Sequence, residues 1–355
     1  MNRTICTALA TFLAMPAFAQ DAPPTPEFLG QIVVPSGLSV AGVVFGGISD
    51  LAYDAEGDRF LAISDDRVQN GPARFYELKL GLAEGIVSLD LAAMHELAGP
   101  NGAFAEKGTD PEGIAFDGTH LFWSSERDEN GRPAIYMAAP DGSAPEPIAL
   151  PEAYLPDTDN TRGIYNNLGF EGLTLTSDDK LIAGTENALA QDGRKATLES
   201  GSPARLLVID PTTMQPAAEY LYVTEPISIE ATQDPFWNDN GLSAIEAMPD
   251  GRLVTVERTF ALGVGNHIRF FIADMSGADD ISGTASVDPA AVTSVTKTPW
   301  FEIREGDFGL DIDNIESFAF GPVIDGKQTF VIASDDNFNP ASQFTQFAVF
   351  AIPAE

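Results

Sequence analysis

One pattern recurs five times along the chain, and it constrains the fold more than any other feature. Its cores begin at Ser49 (SDLAYDAEGDRFLAISDD), Glu112 (EGIAFDGTHLFWSSER), Glu171 (EGLTLTSDDKLIAGTEN), Ser243 (SAIEAMPDGRLVTVER) and Glu316 (ESFAFGPVIDGKQTFVIASDD). The spacings are 63, 59, 72 and 73 residues. Each core reads as a short apolar strand, a turn, and a second apolar strand that closes on a small residue and an acid. Asp117-Gly118, Asp250-Gly251 and Asp325-Gly326 supply the positive φ of tight hairpins, with looser turns at Asp54 to Gly57 and Ser177 to Asp179. A third strand follows each hairpin, as in Arg74-Phe75-Tyr76-Glu77-Leu78 and Arg269-Phe270-Phe271-Ile272. A weaker fourth follows four of them.

Repeated four-stranded antiparallel sheets that stack around an axis make a β-propeller. The chain therefore reads as all-β, with five visible repeats. A sixth blade stays open, because residues 81–109 and 278–312 are long enough to hide strands. The lone strand Phe28 to Val34 has no partner nearby in sequence. It is expected to complete the last blade and close the ring. Residues 20–355 form one domain on this reading.

The acids acquire a position from this fold. In an antiparallel hairpin the start of the first strand lies beside the end of the second. The first strands begin with Glu112, Glu171 and Glu316, and with Ser49 and Ser243; the second strands end at Asp65, Glu126, Glu186, Glu257 and Asp335. First strands line a propeller axis, so Asp65, Glu112, Glu126, Glu171, Glu186, Glu257, Glu316 and Asp335 are expected to converge at one mouth of the channel. Like charges crowded in a poorly solvated place need protons, arginines or a divalent cation. Oxygen-only ligands suit calcium, with magnesium second.

The chain excludes several other chemistries. Its single cysteine, Cys6, falls in a leader-like start: Arg3, an apolar run from Ile5 to Met15, and Ala17-Phe18-Ala19. This reads as a signal peptide over residues 1–19, cleaved after Ala19, for export to the periplasm or beyond. What remains has no thiolate site and three histidines, His95, His120 and His267. A formal charge of −34 excludes a nucleic-acid partner. No later segment is long and apolar enough to span a bilayer, and the protein is expected to be a monomer.

Basic residues are scarce, so their positions carry information. Arg74, Arg205 and Arg269 recur at the start of third strands and read as structural partners of nearby acids. Arg127, Arg162 and Arg258, with Arg67, fall on site-face loops and suit an anionic substrate. Lys195 lies in a polar loop, Gln191 to Ser202, placed to cover the mouth. Asp157-Thr158-Asp159-Asn160 matches half of a calcium loop and lacks the distal glutamate; it reads as a solvated loop.

The run Arg162-Gly163-Ile164-Tyr165-Asn166-Asn167-Leu168-Gly169-Phe170-Glu171-Gly172-Leu173-Thr174 resembles the bacterial family called esterase-like activity of phytase, or phytase-like domain proteins. Asp110-Pro111-Glu112-Gly113-Ile114-Ala115, Ser125-Glu126-Arg127 and Thr185-Glu186-Asn187-Ala188-Leu189 carry the same resemblance, which covers roughly residues 40–352. It implies ester hydrolysis by an exported propeller, with a looser kinship to calcium-dependent propeller phytases. Those phytases gather lysines and arginines, and this chain has few lysines on its site loops.

The expected activity is therefore a metal-assisted hydrolase of a phosphate or related small-molecule ester. Glu171 or Glu186 takes the proton of the attacking water, and the arginines steady negative charge. A Gly-x-Ser-x-Gly elbow is absent and no histidine falls at a repeat position, which counts against a serine hydrolase. Two alternatives remain open: a sugar-lactonase-type calcium propeller using Asn187 and Asn240, and a calcium-stabilised binding platform without catalysis.

Overall fold

The structure, a computed structural model, describes residues 23–83 and 85–354. The expected leader, residues 1–19 with Cys6, lies outside the described residues. Strand β1 (Glu27–Val34) is followed by a small hairpin, β2 (Ser39–Val40) and β3 (Val43–Val44). Blade one then holds β4 (Ile48–Asp54), β5 (Arg59–Ser64), β6 (Arg74–Ala83) and β7 (Ile86–Glu96). Blade two holds β8 (Pro111–Phe116), β9 (Leu121–Ser125), β10 (Ala134–Ala138) and the short β11 (Glu146–Pro147). Blade three holds β12 (Phe170–Leu175), β13 (Leu181–Thr185), β14 (Pro203–Asp210) and β15 (Gln215–Val223). Blade four holds β16 (Asn238–Ala247), β17 (Leu253–Ala261), β18 (Gly265–Asp274) and β19 (Thr296–Arg304). Blade five holds β20 (Asn314–Ile324), β21 (Lys327–Asp335) and β22 (Thr345–Pro353).

All five sheets are antiparallel meanders, and the first strands β4, β8, β12, β16 and β20 touch in turn around the axis. The protein is thus a five-bladed propeller. The segments that left a sixth blade open supply the outer strands β7 and β19 instead. Strand β1 completes blade five by pairing with β22, with Phe28 opposite Phe350 and Val34 opposite Thr345. Both ends of the chain share one sheet, which closes the ring as expected.

Burial explains why some strands read as apolar runs and others alternate. Blades pack face to face, so second strands are covered on both sides. Every residue of β9 and β13 is buried, whereas the outer β7 shows mostly exposed and half-buried positions. Each blade interface holds one large hydrophobic core, and a small sixth cluster gathers Leu221, Ile281 and Val287. Phe270, Phe318 and Phe330 belong to the core between blades four and five, and Leu61, Ile114 and Trp123 to that between blades one and two. The hairpin at Asp325 (φ 51°) and Gly326 (φ 75°) has both positive angles that a tight two-residue turn requires.

Below the mouth the axis is filled. Gly113 and Gly172 let the strands meet: a Cβ on Gly172 would lie 2.6 Å from Ile245 N, and one on Gly113 2.6 Å from Leu173 Cβ. The buried Asp50 reaches across from blade one and accepts the amide N–H of Ile114 at 3.0 Å. One layer on, Glu246 accepts from Thr174 Oγ1 at 2.8 Å and Phe320 N at 3.3 Å. What lies above this plug is a cup, open at one end.

Candidate active site

The same irregularity occurs in every inner strand. Pairing with the second strand slips at Ile48/Asp50, Pro111/Ile114, Phe170/Leu173, Leu242/Ala244 and Ile315/Ser317. Each slip is a bulge at the start of the repeat, and bulges re-aim side chains. They turn Glu112, Glu171 and Glu316 toward the cup. Ser49 occupies the same position in blade one and donates its hydroxyl to Glu112 Oε2.

Register decides which residue of each second strand joins them. Ile48 pairs with Ser64, Pro111 with Ser125, Phe170 with Thr185 and Ile315 with Ser334. The next residues, Asp65, Glu126, Glu186 and Asp335, face the cup. In blade four Leu242 pairs with Glu257, so Glu257 matches the serines and Arg258 takes the acid position. The expectation that Glu257 joins the ring is therefore corrected: side chains alternate faces, and a one-residue slip sends it to the other side. There, 0% exposed, it accepts from Lys297 Nζ at 2.6 Å, Tyr222 OH at 2.9 Å and Glu225 N at 2.7 Å.

The other seven predicted acids do converge. Asn314 Nδ2 bridges Glu316 Oε1 at 2.9 Å and Asp335 Oδ2 at 3.2 Å. Arg258 Nη2 lies 3.4 Å from Glu316 Oε1 and 3.8 Å from Glu186 Oε1. Glu126 Oε1 accepts the N–H of Gly169 at 2.8 Å. The glycines make room: a Cβ on Gly241 would sit 2.3 Å from Glu186 Oε1, and one on Gly169 2.7 Å from Glu126 Cγ.

Asp110 completes the cluster. The acid pattern did not single it out, since it stands two residues ahead of Glu112 and outside the repeat core. The signal was within reach: the equivalent positions in other blades are Gly47, Gly169, Gly241 and Asn314. One carboxylate oxygen each from Asp110, Glu112 and Glu126 lies within 4.8 Å of the others. Arg127 Nε donates to Asp110 Oδ2 at 2.7 Å, and Arg67 Nε is 3.3 Å from the same oxygen.

Burial dominates the electrostatics. It pushes Glu186 up to about 8, Glu126 to about 7 and Asp110 to about 6, with neighbouring carboxylates adding to the rise of the glutamates and Arg258 or Arg127 opposing it. Asp65, Glu112, Glu171 and Asp335 are held well above the ordinary carboxylate range by burial and then by one another. Asp65 Oδ1 is buried without any hydrogen-bond partner, an acceptor that lacks a donor. These are oxygen ligands in excess of nearby cationic charge, so a hard divalent cation fits the donor set. The cup thus contains a buried Asp/Glu cluster able to coordinate a divalent cation.

The cavity above it measures about 890 Å³ and includes Arg67, Arg127 and Arg258 on its walls. Trp237, 53% exposed, and Phe338 flank the opening. Arg258 Nε is buried with no partner, whereas Arg127 spends its other nitrogens on Asn166 and Asn167. Arg162 does not belong here: it is 40% exposed, pairs with Glu152 at 3.2 Å and lies off the cavity wall. Asn187 and Asn240 also stay outside; Asn240 donates to Glu225 O and Glu257. Among the described residues no histidine lines the cavity. Lys195 sits 5.7 Å from the Tyr165 ring rather than on the cavity wall. The Asp157 carboxylate is consumed locally by Thr161. Arg74 and Arg205 are structural, buried against Asp66 at 2.7 Å and Asp192 at 2.7 Å.

Comparison with known proteins places this geometry. No curated protein matches the sequence. Solved structures of similar shape include a luciferin-regenerating enzyme (9% identity, 87% of this chain and 94% of that one, TM-score 0.40). Others are a hydrazine synthase from Kuenenia stuttgartiensis (12%, 89% and 67%, TM-score 0.36) and a hypothetical protein from Leishmania major (11%, 91% and 91%, TM-score 0.41). Likeness at that level carries no argument about chemistry. The family described as "Phytase-like: Esterase-like activity of phytase" matches residues 43–338, most of the chain, from β3 to β21. With its esterase- and phosphatase-type hydrolase fold and its acidic cluster, the chain belongs to the phytase-like family.

Proposed function

We propose that this protein is a calcium-dependent hydrolase of phosphate or related esters that works in the acidic cup. The observation that carries the reading is the unpartnered, buried Asp65 Oδ1 among carboxylates that burial holds above their ordinary range. Asp110, Glu112 and Glu126 would hold a Ca²⁺ ion, with Asp65, Glu316 and Asp335 across the cup. When bound, the cation neutralises the ring and polarises an ester oxygen. Arg258 holds the anionic end of the substrate, since its Nε is free and its Nη2 already spans Glu186 and Glu316. Arg127 orients Asp110. Glu186, once ionised beside the bound cation, would accept a proton from the attacking water, with Glu171 behind it. Trp237 and Phe338 pack on the non-reacting part of the ester. Export, supported by the leader-like residues 1–19, is part of this proposal and sets the protein where calcium is plentiful.

The test is hydrolysis of para-nitrophenyl phosphate by protein stripped with chelator and then titrated with calcium or magnesium. Turnover should vanish on stripping and return with calcium, less well with magnesium. Equal turnover by stripped and calcium-loaded protein would overturn the reading.

A further inference from the structure

A serine, a histidine and a glutamate meet in blade four, outside the cup. Ser228 lies between β15 and β16, His267 on β18 and Glu302 on β19. Ser228 Oγ is 2.7 Å from His267 Nδ1, and His267 Nε2 is 3.0 Å from Glu302 Oε2. The strands explain the placement. His267 pairs with Arg304, so Glu302, two residues back, projects from the same face. The imidazole is 2% exposed, while the serine is exposed to solvent.

The hydrogen-bond chemistry favours a polarised serine. A carboxylate on one ring nitrogen fixes the N–H there and leaves the lone pair on the other. Thr259 Oγ1, 3.1 Å from Ser228 Oγ, gives its own proton to Asn240 Oδ1 at 2.7 Å. It can only accept, and His267 is the nearer acceptor for the serine proton. Arg304 Nε, 3.3 Å from His267 Nε2, is the more distant contender for that nitrogen, and its Nη2 lies 3.1 Å from Glu302 Oε1. Burial first, and the Arg304 and Arg269 charges after it, keep the imidazole below its ordinary value, hence neutral at pH 7. The N–H of Ile229, the residue after the serine, makes no hydrogen bond among the described residues.

We propose that Ser228, His267 and Glu302 form a second, metal-independent hydrolytic centre for carboxylic esters. Ser228 Oγ bonds to the ester carbonyl carbon as its proton passes to His267 Nδ1. The carbon–oxygen bond to the alcohol then breaks, and the alcohol leaves with that proton. Water attacks the acyl-serine, giving a proton to Nδ1. The acyl–Oγ bond breaks, the serine recovers the proton, and a carboxylic acid departs. Glu302 holds the ring and offsets the charge of the transient imidazolium. This centre does not rest on the cup, and the two fail separately: the cup's phosphate-ester activity is read with calcium, and this centre in chelator.

The experiment uses full-length protein in chelator with a fluorophosphonate probe, whose phosphorus–fluorine bond is displaced by an activated serine oxygen. Mass spectrometry should locate the adduct on the peptide carrying Ser228, and Ser228→Ala should abolish it. His267→Gln should slow labelling about a hundredfold. Glu302→Gln, at an exposed position on the outer strand β19, should slow it as well. No adduct on Ser228, or labelling at wild-type rate in both the His267→Gln and Glu302→Gln proteins, overturns the proposal.

Discussion

Glu246 shows at the scale of a single residue what burial does to a carboxyl in this channel. It has hydrogen bonds from Thr174 and Phe320 but no cation, and burial pushes it up to about 7. Because its folded value lies above the free one, the stability it contributes is complete below the free carboxyl range and lost as pH rises through 7. The shift corresponds to a loss on the order of 3 kcal/mol by pH 8. Glu246→Gln, which mimics the neutral acid, should therefore flatten the decline in melting temperature between pH 5 and 8 in calcium-saturated protein; an unchanged slope would contradict the assignment. Arg258 presents the opposite case, a lone guanidinium between Glu186 and Glu316. Replacing it with alanine strands both acids, and metal-free protein should lose about 3–5 kcal/mol in chemical denaturation. Its presence at the mouth is expected from the sequence, but its exchange of places with Glu257 is not. Read as a string, Glu257 continues the acid pattern, and only the bulged pairing of Leu242 with Glu257 brings Arg258 to the axis. Arg162 misled for a different reason: a basic residue near a site motif in sequence can point to solvent, as its pairing with Glu152 shows.

At the scale of elements, hairpins were the most readable feature, because turn chemistry and apolar period are local properties. The five bulges were not, since a bulge is a relation between two strands and leaves no mark in either alone. They nevertheless aim Glu112, Glu171 and Glu316. The glycines opposite the acids serve the same end, and Gly241→Ala tests it. The added Cβ would fall against Oε1, Cγ and Cδ of Glu186, so that side chain rather than the backbone must shift. The fold should survive, with a melting temperature within a few degrees of wild type, while phosphate-ester turnover falls about tenfold or more. Wild-type turnover would show that the position of Glu186 does not matter. Strand β1 was legible for a topological reason, as a strand with no neighbour in a chain whose last blade lacks one. Deleting Glu27–Val34 bares the edge of β22 and removes the side chains of Phe28, Ile32 and Val34 from their cores. A melting temperature lower by roughly 10 °C and concentration-dependent association on size exclusion are expected; a monomer of unchanged stability would contradict the role of β1 in closing the ring.

For the whole molecule, the ring gathers acids from four sequence-distant hairpins, and an arginine from the fifth, at one mouth. The three acids close enough to share a cation, Asp110, Glu112 and Glu126, all come from blade two, while Asp65 and Asp335 line the same cavity from blades one and five. A cation held by that trio should stabilise the fold by mass action in proportion to its free concentration. The gathering of acids at one mouth is visible in outline from the repeat, while the places of Asp110, Glu257 and Arg258 depend on strand pairing. The most direct measurement is calorimetric titration of calcium into stripped protein at pH 7 in two buffers of different ionisation heat. Saturable binding should release protons from carboxyls that burial keeps protonated, and the Asp110→Asn, Glu112→Gln, Glu126→Gln triple variant should lose it. Absence of binding, or binding unchanged in the triple variant, would contradict the account.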